Sequence, residues 1–127
     1  MYAHNQYQQA AATTAGPAQL VLMLYDGALV RLEVARDAID EGRKAAAHEA
    51  LIKAQAIVDE LTMSLDMERG GEVARNLMEL YDYCTRQLVD ANIHTDAGLV
   101  ADVEAVVREL RDAWDRGVVR GAVAVAG

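Results

Sequence analysis

The stretch LIKAQAIVDELTMSL, residues 51–65, places Leu51, Ala54, Val58, Leu61 and Leu65 at alternating steps of three and four. That spacing puts all five side chains on one stripe of an α-helix. It is the seam by which bundle helices pack, and no strand alternation reproduces it. Working outward, the helix around this seam is predicted from about Lys44 to Glu68, with Gly70-Gly71 as its stop. On the near side, Gly42 sits where the preceding helix needs a C-terminal cap.

That preceding helix is predicted from Pro17 to about Asp40. Gly16 is an acceptable N-cap, and proline in the first helical position lacks an N–H that would have no partner anyway. Its first half, Leu20 to Tyr25, is apolar on every side and must be covered on most of them. In its second half Leu32, Ala35 and Ile39 form a stripe, with Arg31, Glu33, Arg36 and Asp37 off it. A third helix is predicted from about Glu72 to Ile93, with Val73, Leu77, Leu80, Cys84, Leu88 and Ala91 on its seam. The run His94 to Gly98 breaks the pattern. A fourth helix then runs to about Gly117, with Leu99, Val103, Val106, Leu110 and Trp114 inward.

Connections of a few residues between helices of about twenty force neighbours to run antiparallel. The expectation is an all-α, antiparallel up-down-up-down four-helix bundle spanning residues 16–117. A mobile, polar, alanine-rich arm (1–15) precedes it and a weakly patterned tail (118–127) follows. Composition agrees. The chain has 127 residues, enough to remove roughly two-thirds of its unfolded surface from water. It holds one proline, nine glycines and no phenylalanine, and about two dozen residues are alanine, the best helix former. A β-sandwich or barrel would need more turn residues.

The formal net charge is −8. Nucleic-acid binding rests on lysine and arginine against phosphate, so it is not expected, and neither is docking on an anionic membrane. No stretch approaches the roughly 20 apolar residues of a membrane span. Met1–Thr14 has neither a basic head nor an apolar run, so no secretory leader is expected there. The single cysteine, Cys84, fits a reducing cytoplasm.

Chemistry is hard to find. A di-iron bundle needs Glu-x-x-His pairs, but the residues three before His48 and His94 are Ala45 and Ala91. His48-Glu49 lacks the second histidine of a zincin, because Ile52 stands in its place. There is no haem-attachment Cys-x-x-Cys-His, and one cysteine with three histidines is a poor zinc set. Gly42-Arg43-Lys44 lacks the upstream glycine of a phosphate-binding loop. Ser64, the only serine, lies mid-helix in this reading, and Cys84 faces the core. No cofactor and no metal are expected. What stands out is apolar and aromatic: Tyr25, read as facing out of an aliphatic run, Tyr81 and Tyr83, Trp114, and the methionines Met23, Met63, Met67 and Met78. Amphipathic rings and methionines suit either the wet ends of a core or a groove for an amphipathic partner segment.

Several strings, in order, resemble the flagellin-specific export chaperone family, FliS. They are Tyr7-Gln8-Gln9 with Pro17 and Leu22 to Ala28, then Leu51 to Ile57 with Glu60-Leu61. Tyr81-Asp82-Tyr83 with Arg86, Leu88, Ala91 and Asn92 follows, and Glu104 with Arg111 to Trp114 completes the set. The resemblance covers about residues 7–116. Gly16 departs from the serine or threonine usual before the proline. The resemblance implies a non-enzymatic cytoplasmic bundle that binds the C-terminal segment of newly made flagellin and prevents premature polymerisation. It also implies that the complex is handed to the export gate of the flagellar type III apparatus, and that the arm covers part of the groove when flagellin is absent. The residues expected at the partner are Tyr7 on the arm, Leu20 and Tyr25 on helix one, and Ile52, Gln55 and Ile57 off the seam of helix two. Tyr83, Arg86 and Asn92 on helix three, and Arg111 with Trp114 as a cation–π or packing cluster on helix four, complete them. Asn92 has an equal claim as a helix cap. The alternatives are a bundle-fold enzyme or small-ligand carrier with an unrecognised site, and a structural dimerisation domain.

Overall fold

The computed structural model describes residues 16–119, and over them the chain is helical between short connections. The helices are α1 (Pro17–Asp40), α2 (Lys44–Met63), α3 (Met67–His94) and α4 (Ala97–Trp114). A five-residue π turn, Asp115–Val119, follows α4. Contacts run α1–α2, α2–α3, α3–α4 and α4–α1, so the helices stand at the corners of a square with α1 diagonal to α3. This is the expected antiparallel four-helix bundle. The arm (1–15) and most of the tail (120–127) lie outside the described residues.

Local chemistry sets the ends of the helices. Gly16 caps α1 in an extended conformation ahead of Pro17. At the other end Gly42 takes φ +74, with Gly42 N–H on the Ile39 carbonyl and Arg43 N–H on the Ala38 carbonyl. That is the reciprocal cap for which glycine is selected. The junction of α2 and α3 differs from expectation. The α2 helix ends at Met63, because the Ser64 hydroxyl donates back to the Leu61 carbonyl at 2.7 Å. Asp66 then starts α3 by accepting from Arg69 N–H at 3.0 Å. Gly70-Gly71 therefore does not stop α2. It lies inside the first turns of α3, where Gly71 adopts φ 53, ψ −126 and kinks the helix. A strong aspartate N-cap outranks a glycine pair as punctuation. The kink also turns Val73 outward, to 66% exposure, and puts Ala74 in its place on the seam.

The core joins Leu32, Leu51, Val58, Leu61, Leu88, Val100 and Val103 with alanines such as Ala28, Ala35, Ala54 and Ala91. Alanine at these positions lets the helix axes approach closely. Leu99, Val106, Leu110 and Trp114 pack against this core, half-buried. The chain has no phenylalanine to fill the centre, and Tyr25 and Tyr81 do so across the diagonal. Their rings are 6.5 Å apart between centroids and their hydroxyls 2.5 Å apart.

Candidate partner-binding surface

On α2 the core stripe is Leu51, Ala54, Val58 and Leu61, and helical geometry assigns its two flanks. One flank meets α3. His48 Nδ1 lies 2.8 Å from Asn92 Nδ2 and 3.0 Å from Asn92 Oδ1. The amide can thus donate to the bare ring nitrogen or accept from the protonated one. Four and seven residues further, Ile52 and Gln55 lie on the same flank, followed by Asp59 and Thr62. Asp59 and Thr62 line a groove of about 350 Å³ with Met78, Glu79, Asp82 and Thr85 of α3. Val89 continues the α3 wall one turn beyond Thr85. Ile52 is 48% exposed and Val89 40% exposed. A further pocket of about 230 Å³, lined by Ile39, Lys44, Leu51 and Thr95 among others, sits behind the His48–Asn92 bond.

The other flank of α2 meets α1, and Ile57 belongs there. A Cβ on Gly27 would stand 3.6 Å from Ile57 Cδ1. Ile57 therefore does not share a surface with Ile52 and Gln55, as the sequence reading had it. The reason is angular: residues 55 and 57 are about 200° apart around a helix.

Tyr25 needs the clearest correction. It is 1% exposed and belongs to the core, not to an outward face. Burial raises both phenols above their ordinary value. Tyr81 is raised further by its hydrogen bond with Tyr25, which acts on Tyr25 in the opposite sense. Both stay neutral at any physiological pH. Burial likewise pushes the Cys84 thiol up to about 11, so it is a core residue and not a nucleophile.

The remaining positions divide between surface and scaffold. Tyr83 is exposed on the opposite flank of α3 from Met78 and Thr85, and its hydroxyl accepts from Gln87 Nε2 at 2.9 Å. Arg86 is exposed, 3.7 Å from Asp82 one turn earlier. Asn92 bonds His48 and does not cap α3; that place belongs to Thr95, in the left-handed conformation. Leu20 is half-buried in the first turn of α1. Arg111 meets Asp26 at 2.8 Å, Asp112 at 3.3 Å and Asp115 at 3.8 Å, so its guanidinium answers carboxylates instead of the Trp114 ring. These carboxylates, Asp26 foremost, raise its already high pKa. Trp114 Nε1–H donates to the Ala18 carbonyl at 2.8 Å and ties the end of α4 to the start of α1. A further tie between these helices, beside Arg111 on Asp26, is Arg36 Nε on Glu104 Oε1 at 2.7 Å, with Glu104 only 5% exposed. Tyr7 lies outside the described residues.

The sequence reading singled out Met78 as groove-suited but missed Asp59, Thr62, Thr85 and Val89. The signal was present as a second stripe on α3, Met78, Asp82, Thr85 and Val89, offset from the core seam. Among the described residues no group of three or more His, Cys, Asp or Glu is placed to hold a metal ion. No helix among them is long and apolar enough to cross a membrane.

The fold and its surface define a class, the close-packed four-helix bundles, here with an open groove between two helices. Within that class the chain belongs to the FliS family, since residues 1–120 match the family described as flagellar protein FliS. It is 41% identical over 115 residues to the flagellar secretion chaperone FliS of Bacillus subtilis (strain 168), covering 91% of this chain and 85% of that one. It is 44% identical over 107 residues to the flagellar secretion chaperone FliS of Salmonella typhimurium, covering 84% and 79%. The flagellar secretion chaperone FliSB of Pseudomonas aeruginosa is 39% identical over 119 residues, covering 91% and 94%. The family is one of secretion chaperones, not of enzymes.

Proposed function

We propose that this chain is a cytoplasmic flagellar export chaperone that binds the C-terminal segment of flagellin, keeps it from polymerising early, and accompanies it to the flagellar type III export gate. Membership of the family supports the export role. The observation that carries the binding role is the α2–α3 groove, with Ile52 and Val89 left exposed on its two walls. An amphipathic segment laid there hides its own apolar stripe and covers theirs. Much of the contact energy offsets the ordering of the segment, so a long interface remains releasable.

In this reading Ile52, Gln55 and Asn92 contact the client, joined by Met78, Thr85 and Val89. Tyr83 and Arg86 serve a neighbouring wall on α3. Tyr25, Arg111 and Trp114 act through the scaffold. Leu20 and Ile57 border the α1–α2 side, and Tyr7 of the arm stays on the client side on the strength of the resemblance. The test is capture of the host's flagellin by the purified chain, with and without flagellin's last roughly forty residues, a length sufficient for coupled folding and binding. Full-length flagellin is expected to bind and the truncated form to be lost. Failure of the full-length protein to bind removes the client assignment, and equal binding of both forms removes the segment.

A further inference from the structure

We propose that the α2–α3 groove selects its occupant by charge as well as by apolar shape. It takes an amphipathic helical segment bearing an arginine or lysine two turns from one apolar anchor and one turn from another. This deepens the client reading above and rests on it.

The argument starts from a mirrored order on the two walls. On α2 the groove flank presents Ile52, then Asp59 seven residues on, then Met63 four further. On α3, which runs the other way, it presents Val89, then Asp82 seven residues back, then Met78 four further back. Seven residues are about 10 Å of helix and four are about 6 Å. The antiparallel pair therefore shows apolar groups at one end, carboxylates in the middle, and methionines at the other end. Glu79 joins Asp59 and Asp82 in lining the middle, and no lysine, arginine or histidine does so.

Among the described residues two of the three carboxylates have no partner. Asp59 and Glu79 make no ion pair or hydrogen bond with any described residue. Asp82 reaches only Arg86, at 3.7 Å, and both side chains are largely exposed. The Thr62 hydroxyl does not serve them, since it donates to the Val58 carbonyl at 3.1 Å. The three are not placed to hold a metal ion. A planar guanidinium or an ammonium, brought in on a helix whose apolar residues cover Ile52 with Val89 and Met63 with Met78, meets these carboxylates with charge-assisted hydrogen bonds. The net charge of −8 steers a basic segment to the same place.

The test uses the full chain and a labelled peptide of the host flagellin's last roughly forty residues, with affinity measured at about 0.05 M and about 0.5 M salt. The double variant Asp59→Asn/Asp82→Asn is expected to bind roughly fivefold to tenfold more weakly at low salt and to lose most of the salt dependence. A peptide with its lysines and arginines replaced by glutamine is expected to lose the same factor against the unaltered chain and little more against the variant. Asp102→Asn, on the exposed face of α4, is the control for general charge and leaves affinity unchanged. Both variants replace exposed side chains isosterically, and equal melting curves confirm intact folding. If the unaltered chain binds and Asp59→Asn/Asp82→Asn binds equally well at both salts, charge selection is overturned while the client assignment stands. If the unaltered chain does not bind the peptide, the client assignment fails and this inference fails with it.

Discussion

Tyr25 and Tyr81 carry a polar contact into the centre of an otherwise aliphatic bundle, and each hydroxyl depends on the other. Replacing one by phenylalanine strands its partner's hydroxyl in a site that water does not reach. Tyr25→Phe or Tyr81→Phe is therefore expected to cost about 1–2 kcal/mol in urea denaturation. The double replacement is expected to cost clearly less than the sum, because it leaves no orphan. Additive losses would show that the two hydroxyls act independently. The same burial makes a pH prediction. The folded state raises the pKa of Tyr25, Tyr81 and Cys84, so it holds protons that the unfolded chain releases. Their contribution is fully present at neutral pH and is lost as pH rises, from about 9 for the cysteine and about 10 for the tyrosines. Stability measured across that range is expected to fall, and Cys84→Ala is expected to delay the start of the decline. A flat profile for the parent chain would contradict the buried placement.

At the scale of elements, two backbone positions carry opposite predictions. Gly71 sits at φ 53, ψ −126, a conformation that a side chain rarely tolerates. Gly71→Ala is expected to cost about 1–3 kcal/mol and to straighten the start of α3. Thr95 holds the left-handed position after α3 at φ 51, a strained place for a β-branched residue. Thr95→Gly is expected to stabilise by about 0.5–1 kcal/mol, read as a shift of the urea midpoint. Loss of stability at Thr95→Gly would mean that its side chain makes a contact outweighing the strain. These two sites also show where sequence stops being legible. On α4 the reading found Val103 but missed Val100 and Val107, which are fully buried while Leu99, Val106, Leu110 and Trp114 pack half-buried at the core's edge. The seam of α2 could be read directly, because a three-four repeat has one helical solution. The α2–α3 junction could not, because Ser64, Asp66 and Gly70-Gly71 all signal a break within a few residues. The Asp66 cap wins, and the glycine pair is taken up as a kink inside α3. That Ile52 and Ile57 lie on different flanks of α2 was legible from their spacing; which neighbour each flank meets was not, and it appears only once α1 and α3 take their places beside α2.

For the molecule as a whole, the question is which apolar residues serve the core and which are kept for a partner. The all-round apolar start of α1 was legible as a puzzle, and burial resolves much of it: Leu22 and Tyr25 face inward, while Val21 and Leu24 pack against the core's edge. The exposed residues instead concentrate on α3, at Met67, Val73, Met78, Tyr83, Val89 and Ile93, while α4 has no large exposed hydrophobic among its described residues. A bundle that needed only stability would not distribute its surface so unevenly. Stability and binding should then separate by position. Ile52→Ser with Val89→Ser removes exposed apolar surface and is expected to shift the melting temperature by no more than a few degrees, since exposed positions seldom carry stability. The same change is expected to weaken capture of the flagellin segment about tenfold or more, as apolar anchors of a docked helix do. Tyr25→Phe is expected to do the reverse, lowering the melting temperature while leaving affinity for the segment close to normal at temperatures where the chain stays folded. If Ile52→Ser with Val89→Ser destabilised the bundle as much as a core change, those side chains would be part of the fold's own packing. The groove would then have no claim on a partner.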